Sequence, residues 1–183
     1  MALIFWSLQR ANRSFKNFGL VPDSGVVFRA LCHSLFLIHH SPEAMIIVER
    51  YHDISCGHRV YQHESCCASL HGHNYRIYFR IQGKKLDALG RVIDFSVIKR
   101  RLCTWLEEHW DHKFLLWEED PWLEQLAAID RDGVRAVPFN PTAENMAQYL
   151  LYNMGPQQLS DTEVELISVR VQETAKCSAE VHL

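Results

Sequence analysis

Hydrophobic and polar residues alternate most cleanly from His71 to Gln82. Tyr75, Ile77, Phe79 and Ile81 fall on one side, and Arg76, Arg80 and Gln82 on the other, which predicts a half-buried β-strand. Ile46–Ser55, rich in Ile, Val and Tyr, predicts a strand before it, and Gly57–Leu70 reads as a loop bearing His, Cys, Ser and Glu. After a charged turn at Gly83–Gly90 the period changes. Phe95, Ile98, Leu102, Trp105 and Leu106 form the apolar stripe of a helix that Asp94 caps and that runs to about Trp110. Asp120-Pro121, Asp132-Gly133 and Asn140-Pro141 mark turns along a long linker, which has room for a short helix between Trp122 and Ile129. Thr142 caps a second long helix with Met146, Leu150, Leu151 and Met154 inward, and Gly155-Pro156 is expected to stop it. Val164–Glu173 predicts another strand, with Ile167, Val169, Val171 and Glu173 on one face, and the last residues add an edge strand. The order is strand, strand, helix, helix, strand, strand (ββααββ). It implies an α+β domain: an antiparallel sheet with two long helices on one face.

Residues 1–44 break this regularity. Apolar patches at Leu3–Trp6, Val26–Phe28 and Leu35–Ile38 alternate with Pro22, Ser24, Gly25 and Pro42, without a sustained period. The stretch carries Arg10, Arg13, Lys16 and Arg29 against only Asp23 and Glu43, a balance that also suits a transit peptide. The simpler expectation is a poorly packed extension or a start-site artefact, with residues 45–183 as the catalytic domain.

Composition narrows the classes. Apolar residues make up 48% and charged residues 22%, ordinary values for a globular domain. A net charge of -3 offers no basic surface for nucleic acid. No apolar run approaches the roughly 20 residues of a membrane-spanning helix. The six cysteines suggest no disulfide framework, which fits a reducing compartment such as the cytosol.

Eleven histidines are many for this length, and His58, His63, His71 and His73 cluster. His71 and His73, two residues apart at the start of the clearest strand, point to the same face about 7 Å apart. Two imidazoles so placed can share one ion at ~2.0–2.1 Å, and Gly72 between them permits close backbone approach. His58, at the end of the preceding strand, can face them across an antiparallel pair. Three neutral histidines leave one tetrahedral position open, as in catalytic zinc sites. The competing readings are surface histidines, or a structural zinc module using Cys56, Cys66 or Cys67.

Cys67 lies four residues before His71. A thiol beside a metal is a candidate base or nucleophile, with Cys66 the rival choice and a buried apolar role the plain alternative. Asp111 and His112 follow the first long helix, either as a proton relay or as ordinary polar residues at a helix end. Glu173 continues an apolar face, where a carboxylate needs a partner: a ligand edge with two N–H donors, or a basic side chain.

In this order, Cys56-Gly57-His58-Arg59, Cys67-Ala68-Ser69-Leu70-His71-Gly72-His73-Asn74-Tyr75, Val92-Ile93-Asp94-Phe95, Asp111-His112-Lys113, Pro141-Thr142-Ala143-Glu144-Asn145 and Glu173-Thr174 resemble the 6-pyruvoyl-tetrahydropterin synthase family over nearly all of residues 45–183. The resemblance implies a tunnelling fold (T-fold) whose sheets join between subunits, with active sites at the interfaces of a homohexamer. It implies His58, His71 and His73 as zinc ligands, Cys67 as the catalytic cysteine acting with Asp111 and His112, and Glu173 as the anchor of the pterin ring, with Thr142 near the same pocket. The three-residue gap between Cys67 and His71 resembles the bacterial 6-carboxy-tetrahydropterin branch, which acts in queuosine synthesis. That branch converts 7,8-dihydroneopterin triphosphate to 6-carboxy-5,6,7,8-tetrahydropterin, releasing acetaldehyde and triphosphate. A 6-pyruvoyl product, a related dihydroneopterin-cleaving activity and a non-catalytic zinc-binding module are the alternatives. Cys56 departs from the alanine the family often carries near this point, and Cys56 and Cys66 add thiols near the metal.

Overall fold

The computed structural model describes residues 45–183, and the expected extension at 1–44 lies outside the described residues. The alternating segments form two long strands, β1 (Ile47–His58) and β2 (His71–Gly83). They pair antiparallel from Ile47↔Gln82 to His58↔His71, which fixes which residues share a face. Short strands β3 (Phe114–Trp117) and β4 (Val134–Val137) follow, then β5 (Val164–Gln172) and β6 (Ser178–His182). The sheet order is β4-β3-β1-β2-β5-β6.

Two expectations about the sheet need correction. β1 continues through Gly57 and His58 instead of giving way to a loop at Gly57. The sheet is also mixed, because β3 runs parallel to β1 and β4 parallel to β3. Both new strands are four residues long, too short for a period to register. Gly57 admits β3: a β-carbon there would stand 2.3 Å from the Phe114 ring.

Helix α1 spans residues 95–109. It comprises Phe95–Ile98, a wider π turn at Lys99–Cys103, and Thr104–His109. The Asp94 carboxylate accepts from the Ser96 N–H at 2.8 Å and caps it. Ile98, Leu102, Leu106 and Trp110 are buried at steps of four, the spacing that a wider turn favours. Phe95, expected inward, is half exposed in the first turn. The short helix α2 is Leu123–Ile129. Helix α3 spans residues 143–158 and begins where the Thr142 hydroxyl accepts from the Asn145 N–H.

The expected stop at Gly155-Pro156 does not occur: α3 passes through a π turn at Leu150–Met154 and continues to Gln158. Pro156 enters after that turn in the first positions of a new α segment, where its missing N–H costs least. Gly155 is needed there for contact, since a β-carbon would meet Leu166 at 2.4 Å.

Both long helices cover one face of the sheet. Ile77, Phe79, Ile81, Val169 and Val171 pack with Ile98, Leu102, Leu106, Met146 and Leu150 in one core. Each fully buried side chain of this size contributes roughly 1.5–3 kcal/mol. A bulge opposite Arg80/Ile81 leaves Ile167 without a partner on β2 and turns Leu166 inward, whereas strict alternation predicts Ile167 inward. The other sheet face carries Tyr51, Arg76, Tyr78 and Arg170. Arg76 lies 4.3 Å from the Tyr51 ring centre and pairs with Asp53 at 2.6 Å. Among the described residues, no helix is long and apolar enough to cross a membrane.

Candidate metal centre

The register of β1 on β2 sets His58 opposite His71 and Cys56 opposite His73, with all four side chains on the helix-covered face. Nitrogens of His58, His71 and His73 lie within 4.8 Å of one another, and no cysteine joins this set among the described residues. Gly72 permits the close pairing, since a β-carbon would approach the Cys56 carbonyl to 3.0 Å.

Two of the rings are oriented from behind. His58 Nδ1–H donates to the Pro141 carbonyl at 2.7 Å, and His71 Nδ1–H donates to the Ser69 carbonyl at 2.8 Å. Both bonds leave Nε2 with its lone pair toward the centre, the usual outer-shell arrangement for metal-binding histidines. Burial pushes the His58 imidazole below its ordinary value. The His71 and His73 rings act the same way, against the Pro141 carbonyl and Glu173, so the ring is favoured in the neutral form a metal requires. Three convergent, back-bonded imidazoles fit a zinc-like ion held at ~2.0–2.1 Å.

Glu173 reaches the same point from the end of β5. Its Oε1 lies 3.5 Å from His73 Nε2 and 3.6 Å from His58 Nε2, and it accepts from the Tyr75 hydroxyl at 3.2 Å. Among the described residues, neither the carboxylate nor the three rings pairs with a Lys or Arg. Tyr75 is fully buried, and burial foremost, with Cys56 and Glu173 adding to it, pushes its phenol far up, so it remains an O–H donor.

Cys67 sits in a single 3-10 turn, Cys66–Ala68, held to the segment just after β1 by the Val60 N–H on the Cys67 carbonyl. Burial, the adjacent Cys66 thiol and the negative charge of Glu173 push the Cys67 thiol up. Cys56, buried beside the centre, is pushed up to about 12 by burial, Asp111 and Glu173. It therefore remains a thiol.

Asp111 and His112 make no hydrogen bond or ion pair with this group among the described residues. Asp111 Oδ1 accepts from the Ser55 N–H at 2.8 Å, and its Oδ2 lies 2.9 Å from His112 Nδ1. Partial burial opposes ionisation, but the Ser55 and His112 hydrogen bonds outweigh it and hold Asp111 below the usual carboxylate range. His112 is largely exposed and takes the left-handed backbone conformation, φ 55°. Ser55 and Asn74, around which this pair gathers, point to the sheet face opposite Cys56 and His73. An open cavity of about 640 Å³ is lined by both groups, with His71, His73, Ser55, Asn74, His112 and Phe114 around it. Among the described residues, no hydrogen bond or ion pair joins Cys67 to Asp111 or His112.

Thr142 caps α3 and is the immediate neighbour of Pro141, whose carbonyl holds His58. Sequence reasoning missed three contributors. Tyr75 was legible only as a core residue, although its place two residues beyond His73 on one face was a usable signal. Asn140 exchanges two 2.9 Å hydrogen bonds with the Tyr61 backbone, tying the chain beyond His58 to the segment before α3. Arg59 is buried against Asp120 at 3.3 Å and lies 3.7 Å from the Trp122 ring centre, bracing the residue next to His58.

The model of the family described as 6-pyruvoyl tetrahydropterin synthase matches residues 47–182. A Rickettsia conorii protein named 6-carboxy-5,6,7,8-tetrahydropterin synthase is 33% identical over 75% of this chain and its own full length. An uncharacterized protein from Wolinella succinogenes superposes with a TM-score of 0.67 at 22% identity, over 75% of this chain and 98% of that one. The Plasmodium falciparum 6-pyruvoyl tetrahydropterin synthase structure does so with a TM-score of 0.57 at 20% identity, over 76% and 98%. These two likenesses establish the fold, an α+β tunnelling fold. On the match across nearly all the described residues, the chain belongs to the 6-pyruvoyl tetrahydropterin synthase family.

Proposed function

We propose that this chain is a zinc-dependent lyase that converts 7,8-dihydroneopterin triphosphate to 6-carboxy-5,6,7,8-tetrahydropterin, with release of acetaldehyde and triphosphate, in queuosine (7-deazapurine) biosynthesis. The observation that carries the reading is the convergence of His58, His71 and His73 with Glu173 at their mouth. The name carried by the Rickettsia relative supports the carboxy product. The same residue types would serve a 6-pyruvoyl-forming enzyme, so the product is part of the test.

His58, His71 and His73 would hold the zinc. When bound, the ion supplies Lewis-acid polarisation of substrate oxygens and a positive field that offsets the negative surroundings of Cys67. Glu173 binds the pterin edge through two N–H···O contacts and sets the ring's orientation. Thr142 borders the same pocket. Cys67 takes the proton from the substrate side chain, and Asp111 with His112 relays it. Among the described residues no hydrogen bond or ion pair within one chain joins that pair to Cys67, and in the homo-oligomer, a hexamer by family resemblance, the Asp111–His112 pair of a second copy meets Cys67. The reaction belongs to the cytoplasm.

Turnover of 7,8-dihydroneopterin triphosphate by zinc-loaded protein tests the reading, with acetaldehyde and the pterin product resolved by chromatography. Acetaldehyde in step with 6-carboxy product is expected, and a 6-pyruvoyl product would reassign the reaction. Cys67→Ala is expected to keep its zinc and lose about 10²–10⁴-fold in kcat, the range of a general acid–base group. Wild-type turnover in that variant would remove the thiol from the chemistry.

A further inference from the structure

We propose that Tyr75 couples occupancy of the three-histidine centre to the carboxylate of Glu173, so that the metal and the pterin ring bind cooperatively. The proposal rests on the reading that Glu173 anchors the pterin, and it concerns a residue that would touch neither the metal nor the reacting atoms.

A count of protons carries it. His58 Nδ1 faces the Pro141 carbonyl at 2.7 Å, and a carbonyl only accepts, so Nδ1 carries the hydrogen. The neutral ring then presents a bare lone pair at Nε2. Tyr75 Oη lies 3.1 Å from that nitrogen and 3.2 Å from Glu173 Oε1. A phenol has one hydrogen, and two acceptors compete for it. Tyr75 is 0% exposed, so solvent does not reach it to supply a second donor. Without a metal, the hydroxyl is therefore shared between His58 and Glu173. An ion held at His58 Nε2 would take up the lone pair and, among the described residues, leave Glu173 as the acceptor.

Glu173 Oε1 is then fixed by a full O–H···O⁻ bond, and the carboxylate meets the pterin edge already oriented. Linkage makes the effect reciprocal: pterin on Glu173 draws the hydroxyl away from His58 and frees Nε2 for the metal. Tyr75 thus acts as a positioning residue. A phenylalanine keeps the ring and its packing and removes only the contested proton.

The test uses 6-methylpterin, which has no side-chain oxygen for the metal to bind. Its dissociation constant is measured by fluorescence on zinc-loaded and zinc-stripped wild-type protein and on Tyr75→Phe. Zinc affinity is measured by chelator competition with and without the same pterin. Wild type is expected to bind 6-methylpterin about fivefold or more tightly when loaded, and zinc more tightly by the same factor in the presence of pterin. Tyr75→Phe is expected to bring both ratios close to one while still binding each ligand. A wild-type ratio of one, or an unchanged ratio in Tyr75→Phe, overturns the coupling and leaves the proposed function standing. No pterin binding by loaded or stripped wild type overturns the proposed function and the coupling together.

Discussion

Along the inward face of β2, Tyr75, Ile77, Phe79 and Ile81 are fully buried, whereas His71 and His73 on the same face remain partly open. The alternation is identical in both halves. The difference is what covers them. Helices α1 and α3 seal Ile77, Phe79 and Ile81 with Ile98, Leu102, Met146 and Leu150, while His71 and His73 meet polar groups, namely His58, Glu173 and the Ser69 carbonyl. A continuous inward face thus divides into a dry half that holds the fold and a half that keeps its lone pairs available. Tyr75 stands at the border, with its ring in the core and its hydroxyl in the site.

Single substitutions can break this division. The largest expected effect is on turnover: His71→Ala should lose stoichiometric metal and fall to background activity. Its metal-free urea midpoint should move little, because the ring is not part of the core. Metal analysis and denaturation of the same preparation check both halves of that statement. Next, Phe79→Ala should cost about 3–5 kcal/mol of stability in urea unfolding, with metal stoichiometry retained in the folded fraction. If His71→Ala unfolded the chain as readily as Phe79→Ala, the two halves would not be separable.

The smallest effect belongs to the exposed sheet face. The Arg76 guanidinium beside Asp53 holds its carboxyl below the usual carboxylate range. A depressed carboxyl contributes stability that is present above its unfolded value, about 3.9, and is lost as pH falls through the lower folded value. Asp53→Asn should therefore lower stability slightly at neutral pH and flatten the loss below about pH 4. Both side chains are about half exposed, so solvent screening keeps the difference small. Thermal midpoints of the two proteins between pH 3 and 7 would reveal it.

Much of the fold was legible because its signals are short-ranged. The period of two from His71 to Gln82, the caps at Asp94 and Thr142, and the inward stripe Met146, Leu150, Leu151 and Met154 all act within a few residues. Other features leave no such mark. β3 and β4 are too short to show a period, the bulge at Ile167 depends on its partner strand, and the passage of α3 through Gly155-Pro156 depends on a π turn and on contact with Leu166.

The sequence by itself determined that His71 and His73 share a face, because successive strand residues alternate whatever surrounds them. It also supplied the ordered motifs that mark the family. Only the tertiary structure decided what those side chains meet. His58 is oriented by a carbonyl 83 residues away, and Tyr75 reaches a carboxylate 98 residues away. Such contacts depend on strand register and on where the covering helices stop, and both are set by the packing of the whole sheet.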